Sequence, residues 1–593
     1  GGQYNKILGY RAGAGIDTVG NFLGGGGLNQ LIASDFAFIG GGASGSLKGR
    51  SDHSAIVGGL SNEISSSEHS GIVGGENNNI TEANHSIIGG GNNNIMTDSN
   101  KAFMGGGTSN IITDGKHSSI VAGDTNSILN STGSFIGAGR LHEITSSVSS
   151  VLVGGIDNQM TDSDFSAILG GQSITINNST GSFIGAGKKN KILTAADSTI
   201  GGGDVNRIQH AKFGFIGGGS DGIISGSDFS FLGGGIGNEI FSASKYSVIG
   251  GGQNNEINNL HGGTHGQGKA EYSTIAGGAE NQILAHSRFS SIGGGDQHQI
   301  SASHTSVIGG GKNNIIQGNQ NQDSTHNASN ESSFGAPRSI ENTIAGGGGN
   351  SIGRLTTGKT SLLGNTIAGG SSNHIYDDTI YSSILGGDEN EIIESSSFAT
   401  ILGGQHNDIF ISKYSFIAGG SHNRIVHGTA EITGNSRGVE NANVILNGTQ
   451  NTIASQSIYS IILNGFDNEL VKGEATTIVG HQNETHDANF SLVVGRYNKS
   501  LNVDYSVNSG FTNTISSSDY SGILAGGDNV IKNGEYSIIA GGQDNHIEST
   551  AAYNGIFGGE NNHIGGTLTD AFIIGCNISA SMSNATFVES LVA

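Results

Sequence analysis

Ser54-Ala55-Ile56-Val57-Gly58-Gly59-Leu60-Ser61-Asn62-Glu63-Ile64-Ser65-Ser66-Ser67-Glu68-His69 is one copy of a unit that recurs along most of the chain. Its two isoleucines stand eight residues apart. From Ile56 to Ile240 an aliphatic residue or methionine occupies every eighth position, 24 times in succession. The members alternate in context. One follows serine and precedes a glycine cluster, as in Ser182-Phe183-Ile184-Gly185-Ala186-Gly187; the other follows Asn-x, as in Asn190-Lys191-Ile192. The full repeat is therefore 16 residues, Ser-x-Ile-x-Gly-Gly-x-x-Asn-x-Ile followed by about five polar positions.

A two-helix solenoid repeat needs roughly 30 to 45 residues, so this unit is too short for one. Paired glycines in every turn and abundant Ser, Asn and Thr also disfavour helix. Two short strands and two turns fit the unit. The expected fold is all-β: a parallel β-solenoid (β-roll) of about 33 coils, 16–17 residues per coil, with one inward aliphatic side chain on each of two strands. At about 4.8 Å per strand spacing, the body is expected to be on the order of 160 Å long.

Composition agrees with that reading. Glycine supplies 104 of 593 residues without a Gly-X-Y period, and Pro337 is the only proline, which excludes collagen. The unbroken isoleucine register argues against polar disorder. A net charge of −23 argues against a nucleic-acid partner, which needs clustered Lys and Arg. With Cys576 as the single cysteine there is no disulfide framework, so stability must come from stacked coils. No apolar run reaches 18 residues, so no membrane insertion by this chain is expected. No signal peptide is recognisable. The chain opens in mid-motif at Gly1-Gly2-Gln3-Tyr4-Asn5-Lys6-Ile7, which reads as a processed or truncated start.

Four regions follow from the register: a regular solenoid over 1–256, a solenoid with four insertions over 257–443, a regular solenoid over 444–575, and a C-terminal cap or stalk junction over 576–593. The insertions fall between Ile257 and Ile275, Ile316 and Ile344, Ile352 and Ile367, and Ile425 and Ile445. All four follow the Asn-x-Ile strand, so all should project from one edge. Around His481 to Ser500 the turns are one residue short.

The repeated residues have physical reasons. Paired glycines such as Gly58-Gly59 allow positive φ and close approach of stacked turns. The asparagine two before the second isoleucine (Asn62, Asn78, Asn94, Asn110) is expected to bond along the axis and to tolerate left-handed turns. The residue before the first isoleucine points outward and is often large and apolar: Ile87, Phe103, Phe135, Val151, Phe183, Phe215, Phe231, Val248, Val307 and Phe416. The outward neighbours of the second isoleucine are polar or charged, as at Glu63, Lys191, Arg207 and Glu256. A long apolar stripe needs cover. Another copy of the chain is the economical cover, so a homo-oligomer is expected with these ten residues at its interface.

The unit Tyr/Phe-Ser-x-Ile-Gly-Gly-Gly-x-x-Asn-x-Ile, seen at Tyr246 to Ile257 and Tyr536 to Ile547, resembles the head repeats of trimeric autotransporter adhesins and related repeats of bacteriophage tail fibres. The resemblance covers nearly the whole chain. It implies a parallel β-roll, three chains about one axis, and attachment to a surface, hence an extracellular, cell-surface or virion-fibre location. The unit here is longer and richer in aliphatics than the usual adhesin head repeat, and the adhesins' membrane anchor and coiled-coil stalk have no counterpart in this sequence.

Catalytic motifs are weak. Gly309 to Asn314 lacks the Gly-Lys-Ser/Thr ending of a phosphate-binding loop. The calcium-binding nonapeptide is not repeated. His261 and His265 stand four apart in an insertion without helix geometry, so no metal is expected there; no cofactor is expected either. Asp377-Asp378 reads as solvated turn residues, and Asn130 and Asn178 match the glycosylation sequon, of which chance matches are expected in a sequence this rich in Asn and Ser. Two function classes remain. A non-enzymatic fibre or adhesin-like protein would use the insertions to contact a cell-surface glycan or protein receptor, with His261, His265, His326, Arg338, Arg354 and Arg437 as contact candidates. A polysaccharide-degrading spike would need paired carboxylates, and the insertions offer Asp323, Glu331, Glu341, Glu431 and Glu440. An ice-binding solenoid would show a flat threonine ladder, and no regular one is read here. The fibre is the expected function.

Overall fold

The computed structural model describes residues 2–9, 19–241, 244–258, 270–318, 339–353, 362–376, 378–427 and 441–589. Every regular element among them is a strand, and the chain is a parallel β-solenoid of about 32 turns with two short strands per turn. The described residues form two compact units, 1–285 and 286–593. In the first, the Ser-x-Ile strands run from Phe22–Leu23 to Thr274–Ile275 and the Asn-x-Ile strands from Lys6–Leu8 to Gln282–Ile283. In the second, the Ser-x-Ile strands run from Ser291–Ile292 to Ala585–Val588 and the Asn-x-Ile strands from Gln299–Ser301 to His563–Gly566. Within each unit a strand pairs in register with the equivalent strand one coil on, as Ile88 with Met104 and Ile112 with Ile128.

Five side chains per coil point inward. In the unit quoted above they are Ser54, Ile56, Asn62, Ile64 and Ser67, all fully or almost fully buried. The two isoleucines supply the apolar burial, roughly 1.5–3 kcal/mol each. The three polar residues supply partners for a backbone too tightly wound to bond only to itself. Most amides point one way along the axis: Glu63 N–H donates to Asn78 O and Gly71 N–H to Ser86 O, both 2.8–2.9 Å. Three non-glycine corner residues per coil adopt left-handed φ, here Ser61, Ser66 and His69 at 54°, 52° and 54°. Their amides point the other way, as Ser61 N–H does to Ala43 O at 2.8 Å. Left-handed corners reverse the peptide and so close the coil.

Asparagine and glycine work as one device. Asn78 Oδ1 accepts the amide of Asn94 at 3.1 Å, while its Nδ2 donates to Gly74 O and Gly91 O at 3.1 and 3.0 Å. Gly91 has φ +88°, and a Cβ there would collide with Gly107 O. The last glycine of each cluster therefore opens the slot that receives the asparagine amide. Its neighbour does not share that role: a Cβ on Gly90 meets nothing nearer than 4.0 Å. The pair seen in the sequence thus holds one obligatory glycine. His142 and His298 take the asparagine position in two coils, and burial lowers the pKa of both.

Insertions leave this interior intact. Asn281 N–H donates to Asn255 Oδ1 at 3.0 Å across the first, and Asn350 N–H to Asn314 Oδ1 at 3.0 Å across the second. Each insertion departs after an Asn-x-Ile strand, as read from the sequence; the inserted residues lie outside the described ones. Between Thr477 and Phe511 the coils shorten to 15 residues, and strands lengthen to five or six as the glycine corner is drawn into the ladder. After Ile573 the chain returns once: Ala585–Val588 pairs with Ala571–Ile574, and Phe587 packs against the core.

Candidate functional site

Outward positions carry the chemistry, because the inward ones repeat. On the Asn-x-Ile sheet, each coil presents one strand residue and one left-handed corner residue two positions earlier. A groove runs between these two rows. In the first unit it has a volume of about 740 Å³ and reaches from Asp157 to Asn254. Its middle is cationic: Lys189 on the corner row, with Lys191 and Arg207 as register partners on neighbouring strands. None of the three has a carboxylate within ion-pair distance among the described residues, and Arg207 Nε is sealed from solvent with no hydrogen-bond partner. The acids lie to either side. Asp157 accepts from Ser173 Oγ at 3.1 Å, and Asp221 from Ser220 Oγ at 2.8 Å. Burial and the neighbouring Glu256 raise the pKa of Glu239, against Arg207.

The second unit has a groove of about 590 Å³ in the same two rows. Its strand row reads His374, Glu391, Asp408, Arg424, in register; its corner row reads Ser372, Glu389, His406, His422. Burial pushes Asp408 up to about 6, helped by the charge of Glu391 and opposed by Arg424 and His406. Tyr376 donates to Glu391 Oε1 at 3.1 Å, and burial first, then Glu391, raises the phenol's pKa. His406 Nδ1 stands 2.8 Å from Glu389 Oε2. Burial lowers the pKa of His374, whose Nδ1 lies 2.6 Å from Ser351 Oγ. No group of three His, Cys, Asp or Glu suited to a metal occurs among the described residues.

The Ser-x-Ile sheet presents an apolar outer face. All ten residues expected at an oligomer interface point outward from it: Ile87, Phe103, Phe215, Phe231 and Val307 are exposed, and Phe135, Val151, Phe183, Val248 and Phe416 half-buried. Phe215 and Phe231 stack at 5.1 Å. A second, interrupted apolar row follows the isoleucine at Val57, Val73, Val121, Val153 and Leu169, each 42–54 % exposed, with glycine in the position in other coils such as Gly89 and Gly105. The sequence reading missed this row, although period two about Ile56 places Ala55 and Val57 on the same outer side. Beside the sheet an aromatic edge runs along the corner that precedes the serine. In the second unit Phe490, Tyr505, Tyr520, Tyr536 and Tyr553 stack at 4.9–5.0 Å. Each ring covers its neighbour's face, which leaves edges for a partner rather than a stacking platform.

The contact candidates His261, His265, His326, Arg338, Arg354 and Arg437 all lie outside the described residues, as do Asp377 and the acids Asp323, Glu331, Glu431 and Glu440. Glu341 is an exposed corner residue. A partial threonine row exists after all: Thr81, Thr97, Thr113, Thr145 and Thr161 align, broken by Leu129. It is a single half-buried row, not a flat ladder. The groove residues escaped the sequence reading as sites because charges were read coil by coil; aligning Lys191 with Arg207, 16 positions apart, would have brought them together. No family model matches the chain, and no curated protein matches it.

Proposed function

We propose that this chain is a non-enzymatic structural fibre of the attachment type, acting outside the cell or on a virion, in which copies pack through the apolar face of the Ser-x-Ile sheet. The observation that carries this reading is that face: two parallel rows rich in large apolar residues, interrupted by Ser, Thr and Gly, with Phe103 and Val121 both exposed on adjoining coils. Contiguous apolar surface of this kind marks an interaction site, and a repeated row is self-complementary along its length. Three chains about one axis is the arrangement that the adhesin-like repeat implies. Light scattering on the full chain tests it. The expected mass is three times 60.2 kDa, falling toward the monomer in the double variant Phe103→Asp, Phe215→Asp. A monomeric parent chain refutes the interface.

The polysaccharide-degrading alternative gains one specific observation. Glu391 and Asp408 are register partners whose backbones are one strand spacing of about 4.8 Å apart, which puts two carboxyl groups side by side on one face, as a glycosidase needs. In this reading Asp408, protonated to higher pH, is the acid and Glu391 the nucleophile. Release of reducing ends from surface polysaccharide that disappears in both Asp408→Asn and Glu391→Gln favours this reading; no release in the parent chain removes it.

A further inference from the structure

We propose that the groove over Lys189, Lys191 and Arg207 binds a single anionic group, a carboxylate or sulfate ester, borne by an otherwise uncharged polysaccharide. The fold does not ask for these cations. The row that holds Lys191 and Arg207 accepts Gln159, Thr175 and Ile223 in adjacent coils. Two like charges directly opposite on neighbouring strands are destabilising. Elsewhere in that row a lysine finds a carboxylate on its register partner, as Lys499 does on Glu484 at 2.8 Å, and the other like-charged partners, such as Glu239 with Glu256 and Glu391 with Asp408, are acids. Here no carboxylate lies within ion-pair distance of either cation among the described residues, Glu239 acting on Arg207 only at longer range, and Arg207 carries a covered Nε without an acceptor. A bound anion supplies the missing counter-charge, and a guanidinium held against the surface is pre-organised to receive it.

The flanks decide what kind of polymer carries the anion. Asp157 and Asp221 lie two coils to either side of Lys189 in the same row, and Glu239 two coils beyond Arg207, axial offsets of about 10 Å from those two cations. A chain charged at every unit would bring its next charges against these acids, within one Debye length, and against a protein of net charge −23. A chain with isolated charges would not. The remaining polar lining, Gln159, Ser173, Thr175 and Asn254, offers amides and hydroxyls of the kind that pair with sugar hydroxyls. The volume of about 740 Å³ is in the ligand-pocket range. This deepens the attachment reading, on which it rests only for what the ligand is for.

Binding of the full chain to four probes tests it: neutral dextran, sparsely carboxymethylated dextran, sparsely sulfated dextran and single-stranded oligothymidylate. The expected result is that at least one sparsely charged dextran binds more than about tenfold tighter than neutral dextran. The preferred dextran tells carboxylate from sulfate ester. The double variant Lys191→Gln, Arg207→Gln loses that margin. The charge-keeping pair Lys191→Arg, Arg207→Lys retains most of it, and Lys499→Gln leaves it unchanged. The proposal is overturned if charged and neutral dextrans bind alike, or if the double variant binds as the parent does. It is equally overturned if oligothymidylate binds best through these residues. A monomer by light scattering would defeat the assembly reading and leave this result standing.

Discussion

Lys191 and Ile192 are neighbours in sequence and obey opposite rules. Inward, the row of Ile192 reads Met160, Ile176, Ile192, Ile208, Ile224 and Ile240 over the same coils, apolar throughout and fully buried. Outward, the row of Lys191 runs Gln159, Thr175, Lys191, Arg207, Ile223, Glu239. The interior is one solution copied, because each coil must match the coil above and below it. The exterior is bound by no such match. Grouping on the outside, cations in one unit and acids with histidines in the other, is therefore information about partners rather than about folding.

The sharpest way to break this division is within a single glycine cluster. Gly91→Ala places a Cβ at φ +88° against the next coil's carbonyl and against Asn94 Nδ2 at 2.7 Å. The expected cost is at least about 4 kcal/mol. Gly90→Ala, one residue away, should cost less than about 0.5 kcal/mol. Solenoid coils unfold semi-independently, so amide hydrogen exchange across the coils around residues 80 to 112 is the suitable readout. Equal effects would mean that the last glycine is not the slot for the asparagine amide.

A smaller effect is expected from the asparagine itself. Asn390 Nδ2 donates to Gly386 O and Gly404 O at 3.1 and 3.0 Å, and its Oδ1 accepts the amide of Asn407 at 3.1 Å. Asn390→Ala leaves Gly386 O and the Asn407 amide unmet in the interior, while Gly404 O keeps the amide of Asp388 at 2.9 Å; at roughly 1 kcal/mol each the cost is about 2 kcal/mol in total. Asn390→His should cost about half of that, because His142 Nδ1 already accepts the amide of Asn158 at 3.3 Å in the equivalent place. Hydrogen exchange of the Asn407 amide checks both; a harmless alanine would make the ladder ornamental.

The same division explains what could be read from the sequence. Ile56, Asn62 and the last glycine of each cluster were legible because periodicity is a statement about the interior, and the interior repeats. The coil length, the two strands and the insertion points followed directly. The apolar stripe at Phe103 and Phe215 was half legible: the companion row at Val57 and Val73 was hidden by the glycines that replace it at Gly89 and Gly105. Gly90 and Gly91 look alike in sequence, since only φ and the carbonyl of the next coil separate them. The grooves were illegible for a different reason. Their residues are joined by stacking between coils, so Asp408 meets Glu391 from 17 positions away.

Asp408 gives the smallest effect and the most direct test of an outer row. Its carboxyl, raised from 3.8 to about 6, is held protonated more firmly in the folded chain than in the unfolded one. Between those two values the folded state binds more protons, so stability falls as pH rises from about 4 to 6 and stays at the lower level above. The carboxylate is partly solvated, which discounts the shift to about 1 kcal/mol of local destabilisation at pH 7. Asp408→Asn should recover that amount at pH 7 and change little at pH 4. Hydrogen exchange of the Asp408 and Ile409 amides at the two pH values reads it. Glu391→Gln should act in the same direction, since it removes the neighbouring charge that helps to raise Asp408. A variant that destabilises the coil at pH 7 would mean that Arg424 and His406 hold Asp408 as a salt-bridged carboxylate. The acid cluster would then belong with the structural ion pairs, and the grouping of charges in that groove would cease to speak for a ligand.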